Sequence, residues 1–461
     1  MNQPTRTERD SMGSVEVPAS ALYGAQTQRA LDNFTIPCER MPEPFIRALL
    51  LIKQGAAEAN RSLGLLSDSQ YRAIHQAIES LQGEGLMEHF PVPVLQTGSG
   101  TSTNMNMNEV IARLAQLGGT EISPNDHVNM GQSSNDVIPS ALHIAAAIQL
   151  RSQVIPALSA LIRVIGETAS ANGDVIKTGR THLMDALPIR FDHELAGWAS
   201  QVRDNIDRLE DVFQRLTRLP LGGTAVGSGV NCAPGFVERA LQTISRVSSI
   251  AFESSDSAFK GLSCIDTVLE TSGHLRTCAV TLMKIANDLR WMNSGPHAGL
   301  AEIRLTPLQP GSSIMVDKVN PVIPEAVLMA CARIIGNDMS ITIGAQWGNF
   351  QLNTMLPLAA AELLDSTTLT AGAARLLGDK AVAGFEVLRG NVERPLMQNP
   401  VLVTALTPHI GYLKAAEVAK KAREEQRPVL DVALETLDLE EAVLRKLLDP
   451  EYLAGGGANR S

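Results

Sequence analysis

Apolar residues recur at helical spacing through the middle of the chain. The clearest run advances by steps of three and four residues through Leu195, Trp198, Val202, Ile206, Leu209, Phe213 and Leu216. These steps form a heptad seam along one face, with charged residues on the other faces. Since a helix rises about 1.5 Å per residue, the seam predicts a helix about 30 Å long. Such a helix needs neighbours that cover the seam.

Other segments show the same periodicity and predict further helices. They span residues 45–63, 70–81, 272–292, 324–336 and 358–373, with shorter amphipathic pieces at 413–423 and 440–448, and a long helix capped by Ser134, Asn135 and Asp136. The pattern predicts a mainly α fold with a central bundle of long helices. We expect a mixed, loop-rich domain at 1–135, the bundle domain at 136–390 and a small helical domain at 391–461. Apolar positions on several helix faces favour association with other copies.

Composition narrows the possible partners and cofactors. The 461 residues carry a net charge of −10, which makes nucleic acid an unlikely partner. Only 10 Phe, 4 Tyr and 3 Trp are present, which disfavours an all-β fold. The five cysteines are scattered and show no Cys-x-x-Cys spacing, so neither a disulfide framework nor a zinc site is indicated.

Two regions bear on membranes and targeting. Residues 1–13 mix acidic and basic side chains without an apolar run, so we expect no targeting segment and a cytoplasmic location. Residues 340–361 have the length of a membrane span but contain several amides, glycine and proline. Because burying these polar groups in lipid would be costly, we reject a transmembrane helix there.

Four polar segments interrupt the apolar background. Each combines glycine with small hydroxyl or amide residues, and they lie at 97–104, 131–136, 179–185 and 311–321. Glycine lets backbone amides approach a ligand, and the polar side chains complete a pocket rich in donors. This suits a small anion that bears carboxylates. None of the four is a nucleotide-binding loop, and taken singly each is more often a capped turn.

Individual residues in these segments remain open to two interpretations. His182 stands next to Arg180 and Thr181, which makes it a candidate for proton transfer, although a lone histidine is more often structural. Lys318 and Asn320 could hold a carboxylate while a nearby hydroxyl acts on the adjacent carbon. The alternative for Lys318 is an ordinary surface lysine.

Together, the four segments resemble the active-site regions of the fumarase/aspartase superfamily, in the same order. The run from Gly311 to Met315, followed by Lys318 to Pro321, is similar to the superfamily signature. The resemblance extends over essentially the whole chain and is greatest to the class II fumarate hydratases, which add water to fumarate and give L-malate. Aspartate ammonia-lyase is the alternative, since residues 322–325 and 124–129 also occur in aspartases. A third possibility is an impaired family member that only binds a dicarboxylate.

The resemblance implies a role for each matching residue. Ser312 would remove a proton next to a carboxylate of malate, Lys318 and Asn320 would stabilise the resulting charge, and His182 with Glu325 would manage the proton of the water. Substrate-binding residues would be Ser99, Gly100, Thr101, Ser133, Ser134, Asn135, Thr181, Ser313, Lys318, Val319 and Asn320. The resemblance also implies a fumarase-type three-domain fold and a homotetramer that shares its active sites between subunits. It implies no metal or organic cofactor.

Three departures from the family pattern stand out, and one of them is Trp347, where relatives tend to have a small residue. Val316 and Asp317 occupy positions where the signature usually has proline and glycine, which removes a fixed turn and a permissive glycine. Family members also have a secondary anion site, which would correspond to Ser123, Pro124, Asn125 and Asp126. Here Ser123 stands where a histidine is usual, so the site is in doubt.

Overall fold

The structure is a computed structural model that describes residues 4–455. The described residues form eighteen α-helices. These are α1 Ala25–Asn33, α2 Glu43–Ser62, α3 Asp68–Ser80, α4 Thr101–Leu117, α5 Ser134–Gln149, α6 Ile155–Ala171, α7 Phe191–Leu216, α8 Phe236–Ser248, α9 Ala258–Ser263, α10 Asp266–Met292, α11 Val322–Ala345, α12 Leu356–Leu377, α13 Arg389–Gln398, α14 Thr407–Ile410, α15 Tyr412–Glu425, α16 Val429–Thr436, α17 Glu441–Leu447 and α18 Pro450–Ala454. The mainly α fold predicted from periodicity is confirmed.

The strands of the described residues are short and pair in twos. They are β1 Thr5–Asp10, β2 Gly13–Pro18, β3 Ile176–Thr181, β4 Met184–Arg190, β5 Arg218–Leu219, β6 Glu253–Ser254, β7 Ile303–Arg304, β8 Gly348–Asn349, β9 Leu352–Asn353 and β10 Glu386–Val387. The pairs are β1–β2, β3–β4, β5–β6, β7–β10 and β8–β9, and only β5–β6 is parallel. The β3–β4 hairpin was not predicted, and it carries part of the candidate site.

The long helices follow the predicted seams. In α7, six of the seven seam residues are buried and only Ile206 is partly exposed. With 26 residues, α7 is about 39 Å long. Residues 150–154 form a single π-helical turn that joins α5 to α6, so the helix capped at 134–136 runs to Ala171. The segments predicted at 45–63, 70–81, 272–292, 324–336 and 358–373 correspond to α2, α3, α10, α11 and α12.

Internal contacts divide the chain into two compact units. The first unit contains residues up to Pro156, Asn205–Ala279 and Cys331–Ala371, and the second contains Ala157–Asp204, Val280–Ala330 and the residues from Gly372. The boundaries fall inside α6, α7, α10, α11 and α12, so each of these helices contributes to both units. The division into domains at 1–135, 136–390 and 391–461 stays a prediction. Residues 1–3 and 456–461 of the first and last predicted domains lie outside the described part of the chain.

In the first unit, α2 packs against α8, α5 and α3. Gly55 lies in the middle of α2, and a Cβ atom there would be 2.9 Å from the Ala240 carbonyl oxygen of α8, so only glycine permits this approach. At the start of α1, the Glu109 carboxylate accepts hydrogen bonds from the backbone N–H groups of Gly24, Gln26 and Thr27. A carboxylate at a helix N-terminus is stabilising, which ties α1 to α4.

The second unit contains the β3–β4 hairpin and a small apolar core near the C-terminus. That core includes Leu402, Leu406, Val418, Val432 and Leu444, all buried. The side chain of Asn399 donates to the Ala186 carbonyl oxygen of β4 at 2.9 Å, which connects this region to the hairpin. Helix α18 also packs against β4.

Within residues 4–455, two helical stretches are long and apolar enough to cross a membrane by length and composition alone, namely Ser134–Ala171 and Val322–Ala345. This is weak evidence, because core helices pass the same test. The stretch at 340–361, for which the sequence predicts no membrane span, is not one helix: α11 ends at Ala345, the β8–β9 hairpin follows, and α12 begins at Leu356.

Candidate active site

The first polar segment forms the N-terminus of α4 in the first unit. Gly100 precedes the helix with φ +74°, a left-handed conformation that favours glycine. A Cβ atom on Gly98 would lie 1.8 Å from the Thr354 carbonyl oxygen, so the tight approach of this turn also requires glycine. The hydroxyl groups of Ser99 and Thr101 are 2.8 Å apart. The turn thus gathers two hydroxyls at the positive end of a helix dipole, where an anion is favoured.

The second polar segment caps α5 in the same unit. The Ser133 hydroxyl accepts from the backbone N–H of Asn135, and the Asp136 carboxylate accepts from the backbone N–H of Ser133 at 2.9 Å. The other oxygen of Asp136 accepts from the N–H groups of Gly222 and Thr224, both at 2.9 Å. Burial raises the pKa of Asp136 to about 6, against the opposing effect of these N–H groups. Asp136 therefore fixes the 133–136 turn to the 222–224 loop.

A buried lysine lies behind this turn. The ammonium of Lys53 donates to the side-chain oxygens of Asn129 at 3.2 Å and Gln132 at 2.9 Å. Burial lowers the pKa of Lys53 to about 7, although the charge of Asp136 acts in the other direction. The side-chain amide of Asn104 donates both to Asn129 and, at 3.0 Å, to the Ser134 hydroxyl. Through Asn104 and Ser134, the first and second polar segments come together.

The third polar segment is the tip of the β3–β4 hairpin in the second unit. Thr181 pairs with Met184, and His182 and Leu183 form the two-residue turn between them. Their φ angles are +56° and +61°, so both non-glycine residues adopt the left-handed region. Hairpins with two-residue turns of this kind usually place Asn-Gly there. Residues 181–185 are all exposed, which leaves the His182 ring accessible.

The fourth polar segment is a loop closed at its base. The Gly311 N–H donates to the Lys318 carbonyl oxygen at 2.7 Å, and the Asn320 side chain donates to the Gly311 carbonyl oxygen at 2.5 Å. A Cβ atom on Gly311 would lie 2.3 Å from the Lys318 carbonyl oxygen, so this closure requires glycine. Ser313, Lys318 and Val319 are exposed, as is Glu325 in the first turn of α11.

The Ser312 hydroxyl has a specific environment within this loop. Its oxygen accepts hydrogen bonds from the backbone N–H groups of Ile314 at 3.2 Å and Met315 at 2.9 Å. Two N–H groups aimed at one oxygen stabilise negative charge on it. Negative charge on the Ser312 oxygen would therefore be stabilised by these two donors. Among residues 4–455, no hydrogen bond joins this loop to the hairpin turn at 181–184.

Two family models match the chain: one described as lyase matches residues 13–336, and one described as the fumarase C C-terminus matches residues 402–455. A relative from Pseudomonas aeruginosa named fumarate hydratase class II 2 is 55% identical, covering 98% of this chain and 99% of its own. One from Xylella fastidiosa named fumarate hydratase class II is 51% identical, covering 98% and 96%. The chain belongs to the class II fumarate hydratase family.

Solved structures agree with this family. The crystal structure of recombinant class II fumarase from Schistosoma mansoni has a TM-score of 0.95 at 35% identity and covers 98% of this chain and 99% of its own. The structure of fumarate lyase:delta crystallin from Brucella melitensis bound to cobalt has a TM-score of 0.93 at 40% identity, covering 98% and 100%. The predicted class II fumarate hydratase family, its lyase class and its fold are confirmed.

The secondary anion site of the class II fumarate hydratase pattern stays a prediction. Ser123 caps a π-helical turn at Pro124–Val128, and its hydroxyl donates to the Asp126 carboxylate at 2.8 Å. The Asp126 N–H donates back to the Ser123 oxygen at 3.1 Å. A carboxylate therefore already occupies the cap, which disfavours a second anion beside Ser123.

Sequence reasoning missed the buried side chains that support the polar segments. Lys53 was not singled out, although a charged residue inside the apolar run of α2 is a usable signal. Asp136 was noted only as a helix cap, since its bonds to Gly222 and Thr224 connect positions far apart in the chain. No cluster of three or more metal-ligating side chains occurs within residues 4–455.

Proposed function

We propose that this member of the class II fumarate hydratase family catalyses the reversible trans addition of water to fumarate, giving L-malate. The observation that carries the proposal is the 55% identity to a relative named fumarate hydratase class II 2 across nearly the full length of both chains. All four polar segments fall within the matched length. The environment of Ser312 supports the same chemistry.

In the direction from malate to fumarate, Ser312 acts as the base. Its oxygen takes the proton from the carbon next to a carboxylate, and the N–H groups of Ile314 and Met315 stabilise that oxygen while it is charged. The electron pair of the broken C–H bond moves into the carboxylate. The ammonium of Lys318 and the amide of Asn320 hold the charge that accumulates there.

The second half of the reaction removes the hydroxyl group. The C–O bond breaks, the electron pair of the carbanion forms the double bond, and the departing hydroxide takes a proton from His182, assisted by Glu325. Hydration runs through the same steps in reverse. The exposed position of His182 at the hairpin tip supports a role in exchanging protons with water.

The remaining polar groups bind the two carboxylates of the substrate. They are Ser99, Gly100, Thr101, Ser133, Ser134, Asn135, Thr181, Ser313 and Val319, with Lys318 and Asn320 shared with the chemical step. The first six belong to the N-termini of α4 and α5 or the turns before them. Because helix N-termini favour anions, these positions suit a dicarboxylate.

The proposed active form is a homotetramer with sites shared between subunits. Helix α11 supports the tetramer, since only 33% of its most apolar 18-residue segment is buried within the chain. Met329, Met339 and Ile343 of α11 are exposed, as are Val280 and Trp291 of α10. Apolar helix faces of this kind are covered by other copies in helical oligomers. Native mass spectrometry should give four chains of 49.4 kDa, and a monomer would contradict shared sites.

We infer a cytoplasmic protein that binds neither nucleic acid nor a membrane. The net charge of −10 supports this, because nucleic acid and anionic lipid surfaces select cationic proteins. The exposed apolar face of α11 would be covered in the proposed tetramer and does not require a membrane.

The activity is tested by following the absorbance of the fumarate double bond. Loss of absorbance in buffer alone, with malate as the product, is the expected result. Consumption that requires ammonium would instead indicate aspartate ammonia-lyase. No consumption in either condition, together with measurable binding of fumarate, would leave an impaired dicarboxylate-binding protein and refute the proposed activity.

A further inference from the structure

Four charged side chains form a group next to the β3–β4 hairpin, with Lys177 and Glu302 buried and Arg180 and Glu194 partly exposed. The ammonium of Lys177 donates to the carboxylates of Glu194 at 2.8 Å and Glu302 at 2.7 Å. Arg180 donates to the other oxygen of Glu302 at 2.6 Å. The side chains of Lys177 and Glu302 are only 2% and 4% exposed. Two cations and two anions balance, which is what makes their burial tolerable.

The Glu302 carboxylate accepts from two residues of β3, Lys177 and Arg180, because this strand contains a bulge. Lys177 and Arg180 are three residues apart, and the alternation of a regular strand would direct them to opposite faces. The pairing of β3 with β4 shifts between Thr178 and Arg180. The residue at this bulge is Gly179, where a Cβ atom would lie 2.8 Å from the Leu187 carbonyl oxygen. The bulge turns Arg180 to the side of Lys177, where one carboxylate accepts from both.

The residues that directly follow Arg180 in the chain belong to the candidate site. Arg180 is adjacent to Thr181 and two positions before His182. The turn of His182 and Leu183 has two positive φ angles on non-glycine residues, a conformation that persists only where its surroundings enforce it. The tip itself is exposed and offers little packing. The constraint must therefore come from the base of the turn.

We propose that Glu302 is a positioning residue for the active site, which holds the Thr181–His182 turn through Arg180. Lys177 and Glu194 fix and neutralise the Glu302 carboxylate, so that it can accept from Arg180 in one orientation. The backbone of Glu302 is fixed as well, because its N–H donates to Met292 and its carbonyl oxygen accepts from Leu388. The catalytic consequence rests on the proposed roles of Thr181 and His182.

The test replaces Glu302 by glutamine, which keeps the shape and removes the charge. We expect Glu302→Gln to lower kcat/KM for fumarate hydration at least about tenfold. The matched control is Asp174→Asn, which removes a carboxylate from an exposed ion pair with Arg389 in the same unit and should leave kcat/KM unchanged. A second readout is the ¹³C-methyl NMR signal of Met184, which pairs with Thr181 across the turn. It should shift or split in Glu302→Gln and not in Asp174→Asn.

The outcomes separate this proposal from the proposed function. If the wild-type protein did not hydrate fumarate, the proposed function would fail, while the Met184 signal would still report whether Glu302 holds the turn. If Glu302→Gln does not fold, Arg180→Gln provides the test, because it leaves Lys177 paired with both glutamates. We expect Arg180→Gln to lower kcat/KM and to shift or split the Met184 signal. A folded variant whose Met184 signal matches that of Asp174→Asn would overturn the proposal, even if activity were lost.

Discussion

The turn at 133–136 and the loop at 311–320 both carry small polar residues, but their surroundings differ. Asp136 is fully buried and accepts three backbone N–H groups from two segments of the chain. In the 311–320 loop, by contrast, residues 313–319 are exposed, and Val316 is 97% exposed. The loop is closed only at its base, by the contacts of Gly311 with Lys318 and Asn320.

The difference in burial between the turn and the loop matches a difference in their proposed roles, which are substrate binding and proton transfer. Groups that recognise carboxylates gain from a rigid, preformed arrangement, because less entropy is lost when the ligand binds. A serine base must be reached by substrate and then shielded from water, and an exposed loop that closes can meet both needs. We therefore expect changes in the 133–136 turn to act mainly on KM, and changes in the 311–320 loop that remove the Ser312 base or affect loop closure to act mainly on kcat.

The largest effect is expected from Ser312→Ala. Removing the base should lower kcat at least about 100-fold, while KM changes much less. Steady-state rates of fumarate hydration and malate dehydration would measure both constants. The neighbouring hydroxyl provides a comparison: Ser313→Ala should raise KM more than it lowers kcat, because Ser313 is proposed to bind substrate. If Ser312→Ala changed KM as much as kcat, Ser312 would be a binding residue.

A smaller effect is expected from Asp136→Asn in the buried turn. Asparagine retains one acceptor oxygen but directs its NH₂ group at backbone donors that the carboxylate had satisfied. The free energy of unfolding should fall by about 2 to 3 kcal/mol, as is typical for a lost hydrogen bond to a buried charged group. Since the turn carries Ser133 and Asn135, KM for fumarate should rise about tenfold with a smaller change in kcat.

Urea denaturation and steady-state kinetics would test this prediction. Asp68→Asn is a suitable control, because Asp68 also lies in the first turn of a helix in the first unit but is exposed and paired with Arg61. The control should change stability by less than about 1 kcal/mol. A kcat that falls more than KM rises in Asp136→Asn would contradict the separation between the two regions.

The sequence predicted the turn at 133–136 better than it predicted the β3–β4 hairpin and its buried ion pairs. The turn at 133–136 could be found because cap residues followed by helical periodicity are local signals, and the same holds for the seam of α7. Lys177 and Glu302 could not be paired, since they are 125 positions apart and each resembles a surface residue in isolation. The β3–β4 hairpin was missed because the Gly179 bulge disrupts its alternation and its turn lacks the usual glycine.

The smallest effect is expected at the departure from the family signature. Asp317 has a φ of +66°, in the left-handed region where glycine is unstrained and a residue with a Cβ atom costs about 1 kcal/mol. The family glycine therefore matches the backbone that this loop adopts. We expect Val316→Pro together with Asp317→Gly to raise kcat up to about fivefold, since glycine can change its dihedral angles during closure without the cost of about 1 kcal/mol that a Cβ atom adds.

Asp317→Asn separates the backbone from the charge. Asparagine tolerates the left-handed region better than most residues and removes the carboxylate next to Lys318. If Asp317→Asn alone raised kcat as much as the double variant, competition of the carboxylate for Lys318 would be the cause. If only the double variant were faster, the backbone would be the cause, and the loop would limit turnover through its closure.

A kcat that is unchanged or lower in the double variant would contradict the prediction that Val316 and Asp317 slow turnover. The exposed region would then not limit turnover, and the contrast with the buried turn would extend only to binding.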